Sequence, residues 1–249
     1  MFTFKINAII GHRGCDEGKF DNTIAAFLKA VELGAEMVEF DIRKTKDGVL
    51  MVHHDAEIFN YRIKAYDFDF LKRHAANQGL EIATLEEVLK ALEGKIKLVA
   101  EIKERGFEER AINLLLQYFS PKEFVAMSFL DEVVLRIRKE FPTVTTGLLL
   151  GVGNHGELGD FSKIGLIRHR LTEIFPWKRV AACKAQFIAP NWQLLAFGML
   201  GKAHKIGLPV FTWTVDDERR LVYLMKKKML SGVITDKPGF ALKVRKTVS

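Results

Sequence analysis

Short apolar runs alternate with amphipathic stretches along almost the whole chain, and this alternation most constrains the fold. Such alternation predicts parallel strands joined by crossover helices. The predicted strands are Ala8–Gly11, Met37–Ile42, Val49–His53, Leu98–Lys103, Phe124–Phe129, Thr146–Leu150, Gln186–Ala189, Val210–Val215 and Gly232–Thr235. The predicted helices are Thr23–Leu33, Leu85–Glu93, Glu108–Phe119, Glu132–Phe141, Trp192–Lys205 and Glu218–Lys228, with one more between Gly151 and Lys184.

A chain of 249 residues with this pattern suits one TIM (β/α)8 barrel of the α/β class, so we predict a single domain over residues 1–249. The candidate strands outnumber the eight that a closed barrel needs. The turn signal Thr45–Gly48 separates two strand runs and leaves no room for a helix. We therefore predict that one flanking run is an extra hairpin element, and the sequence leaves its docking open.

Two stretches depart from the regular pattern. Residues 56–84 are rich in Phe and Tyr and longer than an ordinary βα loop, which predicts a short cap at the barrel mouth. The glycine-rich stretch from Gly151 to Gly159 lacks the spacing of a dinucleotide-binding loop. We interpret that stretch as a barrel loop.

Composition excludes several classes of protein. Hydrophobic residues make up 48% and charged residues 28%, which is typical of a globular chain rather than a disordered one. No window approaches the ~20 apolar residues of a membrane span, and the N-terminal apolar run is too short for a signal peptide. Two cysteines, Cys15 and Cys183, cannot form a disulfide scaffold, so the reducing cytoplasm is the expected location.

The chain is basic, with 38 Lys and Arg against 31 Asp and Glu and a net charge of +7. The strongest basic runs are Lys226–Lys228 and the C-terminal Lys243, Arg245 and Lys246. A solvated helix face explains both runs, and weak peripheral contact with anionic lipid is the alternative. No nucleic-acid motif occurs, so we expect no nucleic-acid partner. The oligomeric state stays open.

Three carboxylates fall at predicted strand ends. Glu39 and Asp41 share one face of their strand because successive side chains alternate, and Glu101 shares a face with Lys103. Neighbouring carboxylates repel unless a cation separates them. An exposed pair of Glu39 and Asp41 at a strand end, and Lys103 as the partner of Glu101, are the structural alternatives. Together the three favour an oxygen-rich site for a hard divalent cation, Ca²⁺ or Mg²⁺ before zinc.

Two histidines also follow predicted strands. His12 and Arg13 lie where the first strand ends, and His54 lies at the end of a later run. Histidine is the usual proton-transfer group near neutral pH, and the arginine fork matches a phosphate. Each histidine alone is more often structural. Several such groups at strand ends indicate a barrel active site, because catalytic groups there come from several strands.

The ordered motifs resemble the glycerophosphodiester phosphodiesterase family. The resemblance extends over nearly the whole chain. Its motifs are His12-Arg13-Gly14, Asn22-Thr23 with Ala26-Phe27, Gly34-Ala35, Glu39-Phe40-Asp41, Thr45-Lys46-Asp47-Gly48, His54-Asp55, Thr84-Leu85-Glu86-Glu87-Val88-Leu89, Glu101-Ile102-Lys103, Ser128-Phe129, Trp213-Thr214-Val215 and Ile234-Thr235-Asp236-Lys237-Pro238.

The resemblance implies a TIM barrel with an inserted cap and one divalent cation, Ca²⁺ or Mg²⁺, with Mn²⁺ as a further candidate. It implies that the metal ligands are Glu39, Asp41 and Glu101 and that the catalytic histidines are His12 and His54. It also implies phosphate binding by Arg13 and Lys103, and an aromatic residue near the substrate at Trp213. The alternative for Trp213 is a core tryptophan at a strand end.

The family pattern is altered at three places, one of which is the shortness of the cap. Before the first helix, Asp21 replaces the longer glutamate of the family, and either Asn22 or Thr23 remains to cap the helix. After His54, the stretch Ile58–Arg62 replaces a family arginine motif, so the role of that arginine is lost or moved.

The implied activity is metal-dependent hydrolysis of a glycerophosphodiester to glycerol 3-phosphate and an alcohol. We assign His54 as base and His12 as acid, and the nucleophile is either water or the glycerol hydroxyl of the substrate. One alternative is a lysophospholipase D acting on lysophospholipids at membranes. Another is a barrel that binds a phosphorylated metabolite without turnover. The preferred head group stays open.

Overall fold

The computed structural model describes residues 2–15, 21–151 and 171–248. Its strands are β1 (Ala8–Gly11), β2 (Met37–Lys44), β3 (Leu50–Val52), β4 (Glu57–Ile58), β5 (Tyr61–Arg62), β6 (Ala83–Thr84), β7 (Lys97–Ile102), β8 (Phe124–Ser128), β9 (Thr145–Leu150), β10 (Phe187–Pro190), β11 (Phe211–Thr212) and β12 (Gly232–Thr235). Its α-helices are α1 (Ile24–Glu32), α2 (Phe68–Asn77), α3 (Leu85–Leu92), α4 (Glu108–Tyr118), α5 (Asp131–Glu140), α6 (Trp177–Cys183), α7 (Met199–Lys205), α8 (Glu218–Lys226) and α9 (Pro238–Val248).

Eight of the described strands form a closed parallel barrel. Neighbouring strands follow the order β10, β9, β8, β7, β2, β1, β12 and β11. Parallel bridges from Ile188 to Val210 and from Asn191 to Trp213 join the two ends of this order. The predicted TIM (β/α)8 barrel is confirmed.

Strand β2 shows how the sequence produces this geometry. All of its residues except Lys44 are buried, as expected for a parallel strand covered on both faces. Phe40 and its alternate neighbours Val38 and Ile42 pack in the apolar layer between strands and helices. Glu39 and Asp41, on the opposite face, therefore point into the barrel.

The run after the Thr45–Gly48 turn is the extra element. Strand β3 pairs antiparallel with β2, where Val52 lies opposite Ile42, and β6 pairs antiparallel with β3. The prediction of one additional hairpin strand is thus confirmed. The pairing also extends β2 to Lys44, two residues beyond its predicted end.

One predicted helix differs from the structure. The predicted helix Trp192–Lys205 is a 3₁₀ helix, Trp192–Phe197, followed by α7, because Gly198 has a φ of +74° and interrupts the helix. Helix α6 lies in the interval where an additional helix was expected. The glycine-rich stretch beyond Gly151 lies outside the described residues.

Residues 57–84 contain the β4–β5 hairpin, a 3₁₀ turn, α2 and β6. Ile58, Leu71 and Ile82 belong to a small buried cluster separate from the barrel interior. Tyr66 stacks on Phe70 with ring centroids 4.6 Å apart. The aromatic residues of this segment thus stabilise its own fold.

Aromatic rings fill the N-terminal end of the barrel. Phe4 lies 5.6 Å from Phe187 and 5.5 Å from Phe211, measured between ring centroids, and Phe2 packs on Phe4.

In the described residues, no helix has the length and apolar character needed to cross a membrane.

The barrel interior gives a stability prediction at Gly147. An added Cβ there would overlap three ring atoms of Phe187, whereas a Cβ at Gly201 in α7 would meet no atom within 4 Å. We expect Gly147→Ala to lower the free energy of unfolding by about 1–3 kcal/mol in urea titrations. The control Gly201→Ala should raise it by about 0.5–1 kcal/mol. Equal stability of the two variants would contradict this packing.

Candidate active site

A cavity of about 190 Å³ lies where the barrel strands end. Its walls include every residue that the sequence nominated. These residues are His12, Arg13, Glu39, Asp41, His54, Glu101, Lys103 and Trp213. The cavity is therefore the candidate active site, at the face where barrel enzymes carry their chemistry.

The three carboxylates come from two neighbouring strands. Asp41 on β2 lies directly opposite Glu101 on β7 in the parallel register. Glu39 precedes Asp41 by two residues and so shares its face. One oxygen from each of the three lies within 4.8 Å of the others, and all three residues are buried.

Two basic side chains partly balance these acids. The Lys103 Nζ lies 2.8 Å from the Glu101 Oε1 and 3.3 Å from the Asp41 Oδ1. The Arg13 Nε lies 3.5 Å from the Asp41 Oδ2, and the backbone N–H of Arg13 donates to Glu39 at 3.0 Å. The structural alternative of Lys103 as a partner of Glu101 is thus realised, within a larger cluster.

Two of the buried carboxylates differ in pKa because their charged neighbours differ. Desolvation raises the pKa of Glu39 well above its ordinary value, and the charges of Asp41 and Glu101 add to the shift. For Asp41, burial also favours the neutral acid, yet the surrounding basic groups, Lys103 first, hold its pKa well below the usual range. Glu39 is therefore the acid that most needs a further positive charge.

The donor set fits a hard divalent cation. Three ionised carboxylates against two basic groups leave one net negative charge, which would repel a phosphodiester anion. Three buried carboxylate oxygens are the ligands that Ca²⁺ and Mg²⁺ prefer. A cation there would separate the repelling acids and reverse the sign of the local charge.

Each histidine of the cavity is held by a carboxylate. The Nδ1 of His12 lies 2.6 Å from the Oδ1 of Asp236, and the Nδ1 of His54 lies 2.8 Å from the Oδ1 of Asp55. A carboxylate at Nδ1 favours the tautomer with its proton there and leaves Nε2 for proton exchange. The hydrogen bond to His12 also helps to lower the pKa of Asp236 against the effect of burial.

The adjacent histidine points elsewhere. His53 is absent from the walls of the cavity, and its Nε2 lies 3.3 Å from the carbonyl oxygen of Glu57.

Burial is the largest reason that the pKa of His54 is lowered, and Lys103 and Arg13 act in the same direction. His54 is thus neutral near pH 7.

Trp213 lies between the interior and the cavity. Its indole N–H donates to the carbonyl of Ala189 at 2.7 Å, and its ring meets Phe129 edge to face at 5.7 Å. An added Cβ at Gly151 would contact both rings, so the glycine makes room for this wall. The hydrogen bond therefore fixes the Trp213 ring, which forms part of the apolar wall of the cavity.

Sequence reasoning missed three supporting residues. Asp236 holds His12, and the two residues meet only because β12 pairs with β1 in the folded barrel. The Asn22 side chain donates to the Asp41 Oδ2 at 2.9 Å and accepts from its backbone N–H at 3.3 Å. Thr23 rather than Asn22 caps α1.

The third missed residue is Arg43, which is 2% exposed. Its Nε and Nη2 donate to the carbonyl of His54 at 2.9 and 2.6 Å, and its Nη1 pairs with Glu104 at 2.6 Å. An arginine on the β2 face shared with Asp41 was the available sequence signal. Arg43 fixes the backbone that carries His54.

Asp21, the altered family position, pairs with Arg13 at 2.8 Å.

Comparison with known proteins agrees with this site. Residues 12–240 match the glycerophosphoryl diester phosphodiesterase family. The chain belongs to this family. A glycerophosphodiester phosphodiesterase of Caldanaerobacter subterraneus subsp. tengcongensis is 29% identical over 248 residues, covering 92% of this chain and 94% of that protein.

Solved structures agree as well. A glycerophosphodiester phosphodiesterase from Thermotoga maritima is 25% identical, with a TM-score of 0.72 over 98% of this chain and all of that one. An Oleispira antarctica phosphodiesterase, solved with its product sn-glycerol-3-phosphate, shares the fold with a TM-score of 0.78 over 97% of each chain at 18% identity.

The family predicted from the motifs is thereby confirmed, and with it the enzyme class, a hydrolase of glycerophosphodiesters. The family depends on a divalent metal, and the buried triad offers a place for one.

The raised pKa of Glu39 gives a stability prediction for the protein in chelator. Below the unfolded pKa, about 4.3, Glu39 is protonated in both states. Above it, the unfolded state releases this proton while the folded state keeps it, so the folded state loses stability with rising pH until the pH passes the raised folded pKa. We therefore expect Glu39→Gln to raise Tm at pH 7, by ~2–4 °C for each 1 kcal/mol.

The difference in Tm between Glu39→Gln and wild type should vanish near pH 4. The exposed Glu93 at the end of α3 provides the matched control, and Glu93→Gln should leave Tm nearly unchanged at both pH values. A lower Tm for Glu39→Gln at pH 7 would show that its carboxylate stabilises the metal-free fold.

Proposed function

We propose that this cavity hydrolyses glycerophosphodiesters to glycerol 3-phosphate and an alcohol, using a divalent cation held by Glu39, Asp41 and Glu101. The observation that carries the proposal is the convergence of this acidic triad with two carboxylate-held histidines in one cavity. Ca²⁺ or Mg²⁺ suits the all-oxygen donor set, with Mn²⁺ as a further candidate. When bound, the cation supplies Lewis-acid stabilisation of a phosphoryl oxygen.

The chain's own groups then have distinct tasks. Arg13 and Lys103 bind the phosphate oxygens and offset negative charge that develops in the transition state. His54 removes a proton from the nucleophile, since its lowered pKa keeps it neutral near pH 7. His12, oriented by Asp236, protonates the leaving alkoxide. Trp213 shapes the apolar wall beside the substrate.

We also propose that residues 56–84 serve as a cap within one functional unit, residues 1–249. The cap begins two residues after His54, and its first residues, Ala56 and Glu57, line a second cavity next to the site. We place the enzyme in the cytoplasm, in the breakdown of lipid-derived diesters. Cys15 and Cys183 are both buried, and two cysteines are too few for a disulfide scaffold, which suits a reducing compartment.

The histidine assignments predict a specific pattern of activity loss. His12→Ala and His54→Ala should each lower kcat for glycerophosphocholine by ~10²-fold or more, with Tm retained. The matched control is His53→Ala, which should lose far less because His53 lies outside the cavity walls. As the pH is lowered, kcat/KM should decrease with an apparent pKa below 6.5, because His54 must be neutral to act as base. An essential His53 with a dispensable His54 would contradict this site.

Metal removal tests the triad. Exhaustive chelation should abolish activity, and Ca²⁺, Mg²⁺ or Mn²⁺ should restore it better than Zn²⁺. The same cations should raise Tm of the wild type and have little effect on Glu101→Gln, a readout independent of turnover. Full activity after chelation in metal-free buffer would refute the proposed metal site.

A further inference from the structure

A second cavity, of about 610 Å³, lies beside the candidate active site on the same face of the barrel. Lys103 lines both cavities. The loop after β3 gives His54 to the first cavity and Ala56 to the second. The loop after β8 likewise gives Phe129 to the first and Leu130 to the second. The second cavity, here called the outer groove, is thus a direct neighbour of the reacting centre.

The outer groove is strongly charged, and few of the residues that line it are aliphatic. Its walls contain five basic side chains, two carboxylates and two aliphatic residues, with no aromatic ring among the described residues that line it. The basic residues are Arg43, Arg62, Lys64, Lys103 and Arg105, and the acidic ones are Glu57 and Glu104. This composition suits an anion and offers no aromatic surface for a quaternary amine.

Both carboxylates of the groove are already paired with arginines that also line it. Glu57 accepts from Arg62 at 3.0 Å, and Glu104 accepts from the buried Arg43 at 2.6 Å. In the parts of the chain that the structure describes, no carboxylate forms an ion pair with the exposed Lys64. Lys64 therefore supplies positive charge that the groove itself does not neutralise.

We propose that the outer groove receives the leaving alcohol and selects alcohols that carry their own carboxylate or phosphate. The inference rests on the proposed function, because a diester held at the phosphate by Arg13 and Lys103 must direct one arm out of the small cavity. The groove bordered by Lys103 is the adjoining space. An anionic arm there would bind next to Lys64 and Arg62, whereas a cationic arm would meet like charge.

The test compares two substrates that differ by one carboxylate, sn-glycero-3-phosphoserine and sn-glycero-3-phosphoethanolamine. We expect kcat/KM to be about three- to five-fold higher for the serine diester, the size of effect that an exposed charge pair gives. Lys64→Glu should bring this ratio to one or below. The loss should lie mainly in KM, because the groove binds the departing arm rather than the reacting atoms.

Lys95→Glu is the matched control. It makes the same change of net charge, and Lys95 lines a different cavity at the N-terminal end of the barrel, so the ratio should stay at its wild-type value. Added KCl should reduce the wild-type ratio, because salt screens exposed charges.

The outcomes separate the two proposals. Cleavage of both diesters with a ratio near one or lower in the wild type would overturn the groove assignment and leave the proposed function intact. A wild-type preference that survives Lys64→Glu would also overturn it. Failure to cleave either diester, or glycerophosphocholine, with saturating divalent cation would instead overturn the proposed function.

Discussion

The site is organised by an imbalance of buried charge at the barrel mouth. One oxygen each of Glu39, Asp41 and Glu101 lies within 4.8 Å of the others, and Arg13 and Lys103 are the basic residues of the described chain that form ion pairs with them. Burying an ion costs several kcal/mol unless it is paired, so this arrangement persists only because the parallel strands fix it. The imbalance fits a divalent cation, which would reverse the local charge and favour a phosphodiester. The proposed binding and catalysis thus depend on the same uncompensated charge.

A second layer of polar contacts keeps the candidate catalytic and metal-binding groups in place. Asp236 holds His12, Asn22 holds both the side chain and the backbone of Asp41, and Arg43 holds the loop at His54. These contacts come from different strand ends and loops, so each ties one element of the barrel to another. Such support matters because a displacement of about 1 Å can cost ~10²-fold in rate.

Much of the fold could be predicted because the period of the hydrophobic pattern is local. The alternation of strand and helix patterns predicted the barrel, and the turn at Thr45–Gly48 predicted an extra strand. Pairing partners are not local. The sequence therefore did not reveal that β6 would pair with β3, or that the bridge from Ile188 to Val210 would join the ends of the sheet. It also missed the break at Gly198, where a left-handed residue divides a continuous apolar stripe.

The sequence by itself determined the candidate groups of the site, because strand alternation puts Glu39 and Asp41 on one face and marks where each strand ends. It could not determine which strand ends would be neighbours. Barrel closure decided that Asp236, more than two hundred residues away, would hold His12. Tertiary packing also decided that Arg43 would hold the carbonyl of His54. Contacts of this kind depend on strand order and register, which arise only when the whole barrel closes.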